Sequence, residues 1–161
     1  MPLRRKDSIN KECGVHMLRV FIDEKSYKNF IRYAIKTCET FSFVFNKEDD
    51  EAYDYNDFYL NLRAYIISEK RIMYHSDMET YFANAIIAYF KCCKETNGIL
   101  QAADSVLDWN ADALPRKLCF YRNGQKWFTC VCHARCMFVH NETKTDVLFF
   151  EKTNIQYRQE K

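Results

Sequence analysis

The stretch LCFYRNGQKWFTCVC, residues 118–132, decides how the chain is read. Asn123-Gly124 lies between LCFYR and QKWFTCVC, which are apolar on two faces as a buried sheet requires. That dipeptide accepts the positive φ values of a two-residue type I′ turn, so the stretch reads as a β-hairpin. Its second strand runs through Val131 and continues toward Val139. Asn141-Glu142-Thr143 then turns it into a further strand, Asp146 to Thr153, followed by a polar tail from Gln156.

Upstream, a loop through Trp109 and Pro115 follows a short helix over Leu100 to Leu107. Before it, Ser76-Asp77-Met78-Glu79 has the form of a capping box, in which hydroxyl and carboxylate each satisfy an amide at a helix start. Met78, Phe82, Ala85, Ile86, Tyr89 and Cys93 continue it at helical spacing, and Gly98 suits a left-handed cap. From Phe58 to Ile67 two templates compete. Phe58, Leu60, Leu62, Ala64 and Ile66 fall on one face of a strand, whereas a helix leaves Leu60 and Ile67 outside, so the alternation favours a strand. A turn at Glu69-Lys70 then leads to a short strand through Ile72 and Tyr74.

Nearer the start, Phe41, Phe43 and Phe45 alternate as a strand. Tyr27, Phe30, Ile31, Ala34, Ile35 and Cys38 make a helical stripe, with Asp23 as N-cap and Glu24 in the first turn. Lys25, Lys28, Arg32 and Lys36 occupy its solvated side. Leu18, Val20 and Ile22 form the first strand. Residues 1–16 read as a basic, flexible leader with Arg4, Arg5, Lys6 and Lys11, and residues 17–161 as one domain. The whole is an α+β fold, with a mostly antiparallel sheet of about six to seven strands and two or three helices packed on it.

Composition narrows the chemistry. The chain has 161 residues, 24 basic against 22 acidic, for a net charge of +2. A duplex-binding domain usually carries a clear basic excess, because phosphate neutralisation supplies much of its affinity. There are only 3 Gly, where average usage would give roughly 11. Gly14, Gly98 and Gly124 lie far apart, which excludes a glycine-rich phosphate cradle. No apolar run is long enough for a transmembrane helix. Eight cysteines are present, Cys13, Cys38, Cys92, Cys93, Cys119, Cys130, Cys132 and Cys136. With no apolar signal core in the first residues, the expectation is a cytoplasmic chain with reduced cysteines.

Four groups of residues invite a chemical reading. Cys130, Cys132, His133 and Cys136 have thiolate and imidazole chemistry, but zinc usually wants a C-x-x-C knuckle, and one extended strand cannot wrap them around an ion. The expectation is no metal and no cofactor. A thiol activated by His133 or His140 lacks a glycine turn to donate to an oxyanion. Arg116, Lys117, Phe120, Tyr121, Arg122, Lys126 and Trp127 interleave charge with rings, as a single-stranded nucleic-acid surface does. The densest cluster is KEDDEAYDYND, read as a loop without the central glycine of a calcium loop. Glu48, Asp49, Asp50, Glu51, Asp54 and Asp57 supply steering charge, and Tyr53, Tyr55 and Tyr59 supply contact area, so this stretch is the candidate partner-binding surface.

The expected function is therefore a non-catalytic protein-binding module or inhibitor. Bacterial immunity proteins, which neutralise a toxin partner, share this profile without any shared motif. The natural complement of the acidic stretch is a basic protein. The alternatives are a nucleic-acid-binding or processing factor, or an enzyme with a dispersed Cys/His site.

Overall fold

A computed structural model describes residues 16–46, 57–72, 85–108, 116–131 and 134–160. Its elements in chain order are β1 (Met17–Phe21), α1 (Glu24–Thr37), β2 (Thr40–Asn46), α2 (Asp57–Leu62), β3 (Ile66–Ile72), β4 (Ala85–Lys91), α3 (Lys94–Leu100), β5 (Arg116–Arg122), β6 (Gln125–Val131), β7 (Cys136–His140), α4 (Lys144–Lys152) and β8 (Gln156–Glu160). Single 3-10 turns sit at Arg63–Tyr65 and Val106–Asp108. The strands form one sheet in the order β3-β4-β2-β5-β6-β7-β1-β8. Every neighbouring pair is antiparallel. The α+β class stands, with eight strands and four helices among the described residues, more strands than expected.

The hairpin forms as read. Asn123 has φ 53° and Gly124 φ 74°, the two positive values the tight turn needs. One irregularity matters. Phe120 pairs with Phe128 and Tyr121 with Lys126, so Trp127 is an extra residue in β6. This bulge turns both Trp127 and Phe128 toward the helices. There they pack on Phe30 of α1, with ring centroids 5.9 and 4.7 Å away.

Asp23 caps α1 as expected, its Oδ1 accepting from the Ser26 amide at 2.8 Å. Tyr27, Phe30, Ile31 and Ala34 are fully buried beneath α1. The Tyr27 hydroxyl donates to the Leu100 carbonyl at 2.7 Å, which joins α1 to α3. All four helices contribute to one apolar cluster with the same face of the sheet. The two edge strands, IISEKRI and QYRQE, are rich in charge, which discourages pairing with another chain.

Several expectations are corrected. Residues 58–67 do not form one strand: α2 takes Asp57–Leu62 and β3 begins at Ile66. Helical spacing brings Phe58 and Leu62 onto the core, with Phe58 5.7 Å from Phe43. Leu60 and Ile67 stand 45% and 56% exposed, and lone exposed apolar residues are ordinary in folded proteins. Glu69 and Lys70 lie within β3 rather than at a turn. Ala85–Lys91 is a strand, not the body of a helix. It sits between β3 and β2 and carries apolar residues on both faces, and periodicity alone cannot separate such a strand from a buried helix. The capping box at Ser76–Glu79 and the strand end at Tyr74 fall outside the described residues.

The helix expected over 100–107 lies earlier, at Lys94–Leu100, and Gly98 sits inside it rather than at its end. Thr96 sets its start: Oγ1 accepts from the Cys93 amide and donates to the Lys91 carbonyl, both at 2.9 Å. The strand through Val131 does not continue to Val139. It ends, and β7 returns antiparallel, pairing Val131 with Cys136. The strand expected over Asp146–Thr153 is α4. Its start is a reciprocal capping box in which Asp146 N donates to Thr143 Oγ1 at 3.2 Å and Thr143 N to Asp146 Oδ2 at 2.9 Å. The polar tail from Gln156 becomes edge strand β8 because it pairs along all of β1.

Candidate functional site

The registers of the strands define two surfaces. Phe90, Phe41, Phe120, Phe128, Val139 and Leu18 are successive cross-strand partners from β4 to β1. All are buried under the helices. One position along each strand lies a second row. It runs Ser68, Tyr89, Ser42, Cys119, Thr129, Phe138, Arg19, Arg158 across all eight strands. Because strand side chains alternate, this row faces away from the helices. None of its members belongs to the apolar cluster that the helices cover.

A parallel row carries Lys91, Thr40, Tyr121 and Lys126, and beyond it His140, Met17 and Glu160. No described helix covers this face, and its centre is aromatic and weakly polar, with Ser42 and Cys119 buried and Tyr89, Thr129 and Phe138 half-buried. Tyr89 and Tyr121 have ring centroids 5.5 Å apart, and the Tyr121 and Ser42 hydroxyls share a hydrogen bond of 3.0 Å. Burial first, and then Cys119, push the Tyr121 hydroxyl above its ordinary pKa. Thr129 Oγ1 and His140 Nε2 are 3.1 Å apart. Burial, followed by the Lys126 charge, lowers the His140 pKa, so this ring is held neutral. Cations surround the centre: Lys70 on β3, Lys91 on β4, Lys126 on β6, Arg19 on β1 and Arg158 on β8. Phe21 stands 44% exposed beside the two arginines.

A second polar cluster lies on the other side of the sheet. Asp146 is fully buried at the start of α4. It accepts from Arg122 Nη1 at 2.9 Å, Trp127 Nε1 at 3.1 Å and the Tyr33 hydroxyl at 2.5 Å. Arg122 also reaches the Thr37 carbonyl and hydroxyl, and lies 4.4 Å over the Trp127 ring. Burial alone would raise the Asp146 carboxyl. The hydrogen bonds from Arg122, Tyr33 and the Thr143 amide outweigh it and hold the pKa below the usual carboxylate range. Every Asp146 oxygen is used by the fold, so this cluster locks α4 to α1 and to the hairpin. Beside it, Asn29, Arg32, Tyr33, Lys36, Phe149, Lys152, Thr153 and Asn154 line an open cleft of about 610 Å³. Lys36 and Lys152 are in the last turns of their helices, where a cation offsets the dipole.

The residues singled out from sequence are distributed unevenly. Glu48, Asp49, Asp50, Glu51, Tyr53, Asp54 and Tyr55 lie outside the described residues, as do Cys13, Cys132 and His133. Asp57 opens α2. Tyr59 is half-buried on Phe45, with ring centroids 5.3 Å apart, and donates to Glu69 Oε1 at 2.8 Å. The aromatic hairpin set divides: Phe120, Trp127 and Arg122 turn to the core, while Tyr121 and Lys126 join the helix-free face.

Of the described cysteines, Cys38, Cys92, Cys93 and Cys136 are free thiols. Burial raises the Cys38 pKa to about 11 and pushes Cys92 up as well, which keeps both protonated and poorly nucleophilic. Cys130 faces the core and Cys136 the opposite side, on different strands. Among the described residues no group of three or more His, Cys, Asp or Glu is placed to hold a metal, and no helix is long and apolar enough to cross a membrane.

Sequence reading missed Arg19, Phe21, Tyr89, Phe138 and Arg158. Their one shared property is register, which no local pattern reveals. No family model, curated protein or solved structure matches the chain.

Proposed function

We propose that the chain is a non-catalytic protein-binding module or inhibitor, and that the helix-free face of its sheet is the contact surface. The observation that supports this reading is the half-buried set Tyr89, Tyr121, Thr129 and Phe138 with its cationic surround. An interface core is depleted in charge and rich in aromatics, with charged groups at its rim, and this face has that layout. The acidic stretch from Glu48 to Asp57, between β2 and α2, is a second contact of opposite charge. A toxin-neutralising role of the immunity type is one form such a module takes.

Capture from the native cell followed by mass spectrometry tests the reading. A partner held by the wild-type chain should be lost by the double variant Tyr121→Thr, Phe138→Thr. It should survive replacement of Cys130, which faces the core, by a residue that preserves folding. Loss only in the Cys130 variant would favour a Cys/His enzyme and sink the proposal. The nucleic-acid reading has one specific support, the five cations around the aromatic centre. Retention of RNA or single-stranded DNA in place of a protein would establish it instead.

A further inference from the structure

Arg19 of β1 and Arg158 of β8 are direct cross-strand partners. Like charges directly opposite each other weaken a sheet, so the pair calls for an explanation. The guanidinium carbons lie 5.6 and 5.9 Å from the centroid of one ring, Phe21, which is 44% exposed. Among the described residues, Arg19 Nε is the only buried side-chain nitrogen or oxygen without a hydrogen-bond partner. Arg158 has one ion pair, to Glu160 at 3.8 Å. Two positive charges and one negative leave a single positive charge unmatched.

We propose that Arg19, Arg158 and Phe21 form an oxyanion site for one carboxylate of an acidic partner segment. The Asp or Glu carboxylate takes the fork of donors between the guanidinium groups, and an apolar side chain beside it packs on Phe21. Guanidinium geometry suits this, because its parallel N–H groups match two carboxylate oxygens. The charge balance favours a single carboxylate over a nucleic-acid strand, since Glu160 beside the pair repels a run of phosphates. The inference rests on reading this sheet face as a protein contact, and it adds the chemistry of what the partner inserts.

The probe is the peptide acetyl-Phe-Glu-Phe-amide, with acetyl-Phe-Gln-Phe-amide as its neutral counterpart and a short oligothymidine strand as the nucleic-acid arm. Arginine side-chain N–H resonances of the full chain are followed by NMR. The acidic peptide should shift the Arg19 and Arg158 signals and the neutral one should not. R19Q and R158Q should each weaken acidic-peptide binding about tenfold, the scale of one charge-assisted hydrogen bond. Removing one of two facing like charges should leave the melting temperature equal or slightly higher, so a binding loss is separable from unfolding. Equal shifts with the neutral peptide, no shift at either arginine, or undiminished binding by both variants would overturn the site. Oligothymidine binding without peptide binding would overturn the carboxylate assignment. Loss of the peptide site alone leaves partner capture through Tyr121 and Phe138 in place, so failure here is distinguishable from failure of the wider proposal; oligothymidine binding would in addition favour the nucleic-acid reading.

Discussion

The rows Phe90–Leu18 and Tyr89–Arg19 cross six of the same strands one residue apart, yet their surroundings differ. The first is shut under four helices and built from Phe, Val and Leu. The second mixes Tyr, Ser, Cys, Thr, Phe and Arg, and no described helix covers it. One backbone thus carries two jobs: the covered row is packed into the apolar core, whereas the other row has Ser42 and Cys119 buried and Tyr89, Thr129 and Phe138 half-buried. A buried phenyl ring contributes through area removed from water and through tight packing, and its deletion leaves a cavity. A half-buried ring facing solvent has less to lose.

The largest effect should come from the covered row. Phe128→Ala should cost about 3–5 kcal/mol in urea unfolding, because Phe128 is fully buried and packs on Phe30 and Phe120. Breaking the lock behind that row should come next. Asp146→Ala should cost about 3 kcal/mol by leaving the partly buried Arg122 against α1 without its carboxylate. The same group predicts an acid limb: its folded pKa lies below the unfolded value, so its stabilisation is present above the unfolded carboxylate pKa and is lost as pH falls through the folded one.

These two variants test the part of the fold that was most legible. The Asn123-Gly124 turn, the capped helix α1 and the Phe alternation of β2 are local signals, and each element formed where its residues indicated. The errors cluster where local pattern is ambiguous. Ala85–Lys91 is apolar at both parities, with Ile86, Ala88 and Phe90 on one face and Ile87 and Tyr89 on the other. Val147-Leu148-Phe149-Phe150 reads equally as a strand, and the Thr143–Asp146 capping box that resolves it is a short-range signal of a kind recognised elsewhere in the chain. The candidate surface was hardly legible at all. Arg19 and Arg158 are far apart in sequence and meet only through the β1–β8 register. The densest charge cluster, at 48–57, drew attention because it is contiguous.

The open row should respond weakly. Phe138→Thr should change stability by less than about 1 kcal/mol, as for substitutions away from the core. A loss as large as that of Phe128→Ala would mean that the two faces do not differ as described. Gly98→Ala should stabilise by about 0.5–1 kcal/mol, since the residue is inside α3 and a Cβ there meets nothing within 4 Å. The smallest effect is a pH term at His140. Its folded pKa is depressed, so its stabilisation is full above the unfolded histidine value and declines as pH falls toward the folded one. A His140→Gln chain should lack that inflection in melting temperature against pH.

The central claim is that the helix-free face contacts a partner protein. Its most direct test is the dissociation constant of the captured partner for three chains: wild type, Tyr121→Thr with Phe138→Thr, and Leu148→Thr on exposed α4. The account predicts a loss of about a hundredfold or more for the sheet-face variant, the scale of an interface hot spot, with Leu148→Thr binding as wild type does. Equal affinity for the sheet-face variant and the wild type, with both folded, would contradict it.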